Sequence, residues 1–132
     1  MERQEFKDIP YAWKRVMKDK ERLEYLEQKS DGVGGMQTTE RVQSSNLNRS
    51  MAIADTIIDL QSRIDVEEKE LRARMDEAEK MITSGALNDR DKSIMLYRYK
   101  YCLDWLDISE LMQMTTRWVL KRHGIALSKI FN

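Results

Sequence analysis

The side chains best suited to chemistry lie near the carboxyl end of the chain, in a stretch that has no acidic residues. After Glu110 the basic residues are Arg117, Lys121, Arg122 and Lys129. An arginine can bind guanine through two hydrogen bonds, and a lysine can neutralise a phosphate. The stretch therefore predicts contact with a polyanion, although charge alone does not distinguish such a surface from a solvated helix face.

The distribution of charge supports a local contact of this kind. The chain has 23 basic and 23 acidic residues, which gives a net charge of zero. Residues 88–132 hold eight basic and five acidic residues, a net charge of +3, and residues 1–87 carry −3. A basic end on a neutral chain indicates a confined contact and not a diffuse coat on nucleic acid.

Other chemistries lack the necessary side chains. His123 is the only histidine and Cys102 the only cysteine, so one chain cannot form a zinc site from several such ligands. A Cys–His pair remains open by count, but Cys102 stands between a tyrosine and a leucine, where a small core residue is expected. His123 is expected to close the domain through a hydrogen bond. We therefore expect neither an enzyme nor a metal site or other cofactor.

Composition predicts a helical protein of the cytoplasm. The 132 residues are 41% apolar and 35% charged, and no apolar run is long enough to span a membrane. The first ten residues lack the apolar segment of a secretion signal, and a single cysteine agrees with a reducing compartment. We expect no membrane partner.

Two helices and a connector are predicted for the amino-terminal part, residues 1–84. Pro10 suits the first turn of a helix over about 10–29, and a flexible glycine-rich connector follows over about 30–48. Apolar residues then recur at three- and four-residue steps along a long helix over about 50–83. The first helix can cover part of this stripe as a hairpin partner, and a second copy of the chain can cover the rest. We therefore expect a homo-oligomer, with a dimer favoured.

The carboxyl-terminal part, residues 85–132, predicts three short helices and no strand, so the fold class is all-α. Gly85 suits the end of the long helix, and caps are available at Asn88 or Asp89, at Asp104 and at Thr115. The residues expected to face inward are Leu87, Ile94, Met95, Tyr97 or Tyr101, Trp105, Ile108, Leu111, Met112, Val119, Ala126, Leu127 and Ile130.

The second and third short helices form a predicted helix-turn-helix. Only Gln113 and Met114 separate the second helix from the cap at Thr115. Small Ser109 allows the third helix to cross closely, and Met114 is expected to fill the corner. In such motifs the amino-terminal end of the third helix enters the major groove. With Val119 facing the core, the residues of this end that we expect to point outward are Thr116, Arg117, Trp118, Leu120 and Lys121.

Residues 87–131 resemble the region-four helix-turn-helix of bacterial sigma factors, and more closely the sigma-like domain of ArpU/RinA-type phage transcriptional regulators. The motifs LNDRDKSIMLYRYKY, WLDIS, MTTRWV and HGIAL carry this resemblance. It implies a transcriptional regulator in a bacterial host cell that binds double-stranded DNA, with its amino-terminal helices used for oligomerisation or contact with RNA polymerase.

The resemblance also implies that four residues face DNA: Thr116, Arg117, Trp118 and Lys121. Thr115 and Arg122 are further candidate DNA contacts. Arg98 and Lys100 are further candidates for flanking phosphates, or equally for solvated surface. Trp118 is expected to be partly buried against its own domain.

Two residues depart from the pattern of these domains, and two other functions stay open. Gln113 stands where a glycine is usual, so the corner is expected to form at some backbone strain. Arg122 stands where an apolar residue is usual, so either its stem lies along the core edge or the helix is slightly rotated. A phage DNA-packaging protein (terminase small subunit) and an interaction module that does not bind DNA are the alternative functions.

Overall fold

Five helices make up the structure, a computed structural model that describes residues 1–34 and 40–132, with side chains over 1–30 and 47–132. They are α1 (Arg3–Gly34), α2 (Glu40–Ile82), α3 (Asp89–Tyr99), α4 (Trp105–Met112) and α5 (Thr116–Ile130). Neither described range contains a strand. The predicted all-α class, with long helices followed by three short ones, is confirmed.

The first helix begins seven residues earlier than its proline predicts. Pro10 lies inside α1 and is buried, although it lacks the N–H that would bond to the carbonyl of Phe6. Phe6 and Ile9 are almost completely buried. Burial of this preceding turn compensates for the missing hydrogen bond, so tertiary packing overrides the local signal.

The predicted connector over 30–48 is also shorter than expected. Helix α1 continues through residues 30–34 and α2 already covers 40–48, so the prediction is wrong for these two segments. The central part, residues 35–39, lies outside the described residues. The glycine run explains the error, since each helical glycine costs only about 1 kcal/mol relative to alanine and does not by itself end a helix.

The chain divides into two compact units, and one of them is a helical hairpin. This hairpin unit comprises residues 14–69. Its helices run antiparallel, because Lys20 Nζ donates to Glu68 Oε1 at 2.8 Å while Gln61 Nε2, earlier on α2, donates at 3.2 Å to Glu27 Oε1, later on α1. Glu68 falls within the apolar stripe of α2, and its ion pair with Lys20 accounts for an acid at that position.

The second compact unit joins residues 1–13 to residues 70–132 and is called the C-terminal unit below. The predicted boundary at residue 84 does not coincide with this division. The Phe6 ring contacts Tyr99 with centroids 4.3 Å apart and Phe131 at 5.3 Å. The end of α2 adds buried residues at Leu71, Ala78 and Ile82. The core of the three short helices is therefore completed by the two ends of the long helices.

Helix ends in the C-terminal unit follow the expected capping chemistry in most cases. Gly85 has φ +101° after α2, and the Asn88 side chain accepts from the Asp91 amide at 2.8 Å to cap α3. Thr115 caps α5 by accepting from the Trp118 amide at 3.1 Å. Asp104 occupies the cap position of α4, but its side chain does not accept the capping hydrogen bond.

Candidate nucleic-acid interface

A tight corner joins α4 to α5. Gln113 adopts the left-handed conformation with φ 56° and ψ 39°, and the Met114 amide donates to the Ser109 carbonyl at 3.1 Å. A residue with a Cβ atom is strained in the left-handed region, which glycine adopts without a steric penalty. The corner thus forms as predicted, at the expected position of strain.

The packing beneath the corner differs in part from the prediction. Ile94, Ile108 and Val119 form a fully buried cluster, and the small Ser109 is buried with its hydroxyl bonded to the Leu106 carbonyl. Met114 is 42% exposed, so it does not fill the corner. Met112 packs against the cluster. Because Gln113 is left-handed, the chain turns before Met114, and that side chain points outward.

Leu111, another predicted inward residue, is placed differently, since it is exposed on α4. Of the alternatives Tyr97 and Tyr101, Tyr97 packs against the core cluster and Tyr101 is exposed. Tyr99 is also buried because it packs on Phe6, a contact with the amino-terminal segment that local spacing does not indicate.

Two basic side chains are exposed on the first two turns of α5. Arg117 and Lys121 are exposed one helical turn apart, and we call this pair the basic stripe. Helix α5 has no acidic residue. Thr116 is half-buried at its first turn, and the Thr115 hydroxyl is used in the cap. An arginine and a lysine at this spacing can present a bidentate donor and a point charge to the same groove.

Trp118 is half-buried against the core cluster, as expected for a tryptophan that packs on its own domain. The Arg90 guanidinium lies over its ring, with Cζ 5.5 Å from the ring centroid. Arg90 is exposed on the first turn of α3, and the sequence did not identify it as a functional residue. The sequence indicates Arg90 only as a basic residue two positions after the Asn88 cap.

Arg122 is held by an acid while 26% of its side chain stays exposed, so its assignment as a DNA contact stays a prediction. Its Nε and Nη2 donate to the two carboxylate oxygens of Asp91 at 2.8 and 2.6 Å. The Asp91 side chain is completely buried. These hydrogen bonds raise the pKa of Arg122. The head of Arg122 thus pairs with a buried carboxylate of α3, a partner that the sequence did not indicate.

Arg98 is also committed inside the protein, so its assignment as a flanking phosphate contact is corrected. The side chain is 4% exposed and donates to the Leu103 carbonyl at 2.8 Å. Its Cζ lies 4.5 Å from the Trp105 ring centroid and 5.5 Å from that of Tyr11. A guanidinium surrounded by rings and a carbonyl stabilises the turn after α3 and does not reach a groove.

Lys100 remains at the surface but has an acidic partner. Its Nζ donates to Glu79 Oε1 at 2.9 Å, and this hydrogen bond raises the pKa of Lys100. A phosphate would therefore have to compete with a carboxylate for this ammonium group.

A neutral hydrogen bond anchors the middle of α5 to α3. His123 Nε2 and Tyr99 Oη lie 2.6 Å apart, and the Trp105 ring contacts the imidazole at 4.6 Å. Burial lowers the pKa of His123 to about 4 and raises the pKa of Tyr99. Burial also raises the pKa of the Cys102 thiol to about 11, so it is not a thiolate at neutral pH. His123 forms the predicted closing hydrogen bond, and Cys102 is the small buried residue expected.

Comparison with protein families, with characterised proteins and with solved structures finds no match to this chain. Among the described helices, none is both long enough and apolar enough to cross a membrane. The resemblance to ArpU/RinA-type regulators stays a prediction.

Proposed function

We propose that this protein is a phage-type transcriptional regulator that binds double-stranded DNA through α4 and α5. The observation that carries the proposal is the basic stripe on a helix without acids, directly after a left-handed corner. In helix-turn-helix proteins the helix after the corner enters the major groove with its amino-terminal residues toward the bases. Arg117 belongs to the first turn of α5, and Lys121 follows one turn later.

The two residues have different roles in this proposal. Arg117 binds a base edge, with guanine as the best match to its planar pair of donors. Lys121 neutralises a phosphate and contributes affinity without sequence preference. The contact to Leu103 leaves Arg98 to hold the domain together, and the contact to Asp91 fixes Arg122 without a part in reading the bases.

The long helices are proposed to assemble the protein as a homodimer or to contact RNA polymerase. A dimer suits DNA binding because two half-sites about one helical turn apart match a two-fold symmetric protein. The hairpin unit keeps large apolar residues exposed on α2, Leu47, Met51 and Ile58 among them. Surface of this kind is typical of protein contacts.

Variants of α5 test the DNA-binding proposal directly. On a duplex that the wild type recognises, Arg117→Ala should weaken binding by about 1–3 kcal/mol and relax selectivity at one base pair. Lys121→Ala should weaken binding to all duplexes and lower the slope of log affinity against log salt by about 0.9. Lys129→Ala, another exposed basic residue in the last turn of α5, is the matched control. Equal losses for all three variants would contradict the assigned roles.

One observation favours the alternative in which the domain binds a protein and no DNA. Leu106 and Leu111 of α4 are 63% and 56% exposed, and Met114 beside them in the chain is also exposed. Exposed apolar side chains near a corner can receive a partner helix. Under this alternative Leu106→Ser abolishes partner binding, whereas Arg117→Ala leaves it unchanged. The packaging alternative predicts a ring of about eight or more subunits by native mass measurement.

A further inference from the structure

A small pocket beside the basic stripe has the chemistry of an anion site. Its lining includes Asn88 and Arg90 at the start of α3, together with Trp118 and Arg122 of α5. None of these residues is acidic, and the nearby carboxylate of Asp91 is completely buried and already bound by Arg122. The positive charge of Arg90 in this lining is therefore not opposed by an acidic side chain of the lining.

Arg90 lies next to an aromatic ring in this pocket. Its Cζ is 5.5 Å from the Trp118 ring centroid, within the range of a cation–π contact. Such a contact uses the face of the ring and not the N–H groups of the guanidinium, which lie in the guanidinium plane and can still bind an anion. A planar fork of N–H donors matches two oxygens of a phosphate.

Arg122 forms part of the wall of the same pocket. Asp91 binds two of its five N–H groups and fixes the guanidinium, and 26% of the side chain stays exposed. Helix geometry places Trp118 and Arg122 one turn apart on α5. Their row lies about 100° around the helix from the row of Arg117 and Lys121.

This angular offset matches the layout of a major groove. A helix in the groove directs one face to the bases, and a phosphate strand runs along each side of the groove, which is roughly 12 Å wide. If the basic stripe faces the bases, the row of Trp118 and Arg122 faces one of these strands.

We propose that the pocket at Arg90 and Trp118 binds a backbone phosphodiester of the duplex whose bases are read by the basic stripe. This inference rests on the proposed function and extends it to a contact from α3. Arg90 is the direct ligand, Trp118 contacts Arg90, and Arg122 lines the pocket with its guanidinium fixed by Asp91.

Salt titrations with Arg90→Gln test this contact. On a duplex selected by the wild type, loss of one phosphate contact should lower the slope of log affinity against log salt by about 0.9 and weaken binding about fivefold at 0.15 M salt. Arg90→Lys should retain the slope, because the charge is kept. Lys92→Gln is the matched control, since residue 92 lies about 200° around α3 from Arg90. Circular dichroism shows that each variant is folded.

A second measurement locates the phosphate. Each phosphate of the selected duplex is replaced in turn by a neutral methylphosphonate, and binding by wild type and Arg90→Gln is compared. The inference predicts one position at which wild type loses about fivefold and Arg90→Gln loses nothing further. Equal sensitivity of both proteins at every position would overturn it.

The outcomes separate this inference from the proposed function. If wild type binds no duplex at all, both are wrong. If wild type binds a duplex selectively and Arg90→Gln has the same affinity and salt slope, only the pocket assignment is wrong. If inorganic phosphate binds wild type but not Arg90→Gln, and duplex affinity is equal for both, the pocket holds a free anion and the assignment to DNA is overturned.

Discussion

Replacement of Phe6 by alanine tests whether the first turns of α1 belong to the C-terminal unit. The Phe6 ring is completely buried and contacts the rings of Tyr99 and Phe131. Tyr99 in turn bonds to His123 of α5. Phe6 is therefore connected to α5 through the Tyr99 ring and its hydrogen bond to His123.

The magnitude follows from burial and from the cavity that is left. Burial of a phenylalanine side chain contributes about 1.5–3 kcal/mol, and an unfilled cavity together with lost ring contacts adds to this. We expect Phe6→Ala to lower the free energy of unfolding by about 3–5 kcal/mol. Phe6→Leu keeps most of the volume and should cost less.

Urea unfolding followed by tryptophan fluorescence measures this change. All three tryptophans, at positions 13, 105 and 118, belong to the C-terminal unit and report on it directly. Tyr25→Ala is the control, because Tyr25 is an exposed aromatic residue of the hairpin unit. It should change the free energy of unfolding by less than about 0.5 kcal/mol. A loss below about 1 kcal/mol for Phe6→Ala would refute the assignment of this turn to the core.

Three further predictions concern the support of α5. Burial lowers the pKa of His123 from its usual 6.5 to about 4, so the unfolded chain binds a proton more readily than the folded protein. The free energy of unfolding should therefore fall as pH drops from about 6.5 to 4, by roughly 3 kcal/mol at most. Its measurement between about pH 5.5 and 7 detects the start of this loss, and a His123 pKa near 6.5 by NMR would contradict the prediction. Gln113→Gly should raise the free energy of unfolding by about 0.5–1 kcal/mol by relieving the left-handed strain, and an unchanged or lower value would contradict strain there. Arg122→Met should lower the melting temperature clearly more than Arg117→Met, since only the former leaves the buried Asp91 carboxylate without its partner; equal shifts would show that the pair is not structural.

Local features of the fold could be predicted from sequence because their causes are local. Thr115 caps its own helix, Gly85 ends the preceding one, and a two-residue turn requires a left-handed residue such as Gln113. The apolar stripe of α2 also follows from spacing alone. Each of these depends on residues within about one helical turn.

Features that depend on distant partners could not be predicted in the same way. The acid that binds Arg122 lies 31 residues earlier, and a basic residue in an apolar position was the only signal of it. Arg98 is buried because two rings and a carbonyl surround it. The burial of Phe6 in the core was not predicted, because Pro10 indicated that the first helix begins after Phe6. The basic stripe was predicted because exposure of Arg117 follows from helical spacing once Val119 is placed in the core.

Selection of bound sites from random duplex DNA tests the central proposal most directly. Wild-type protein should enrich a defined sequence, and Arg117→Ala should lose the preference at one base pair while it keeps the others. Failure of wild type to enrich any sequence would contradict the proposed DNA recognition and favour a domain that binds another protein.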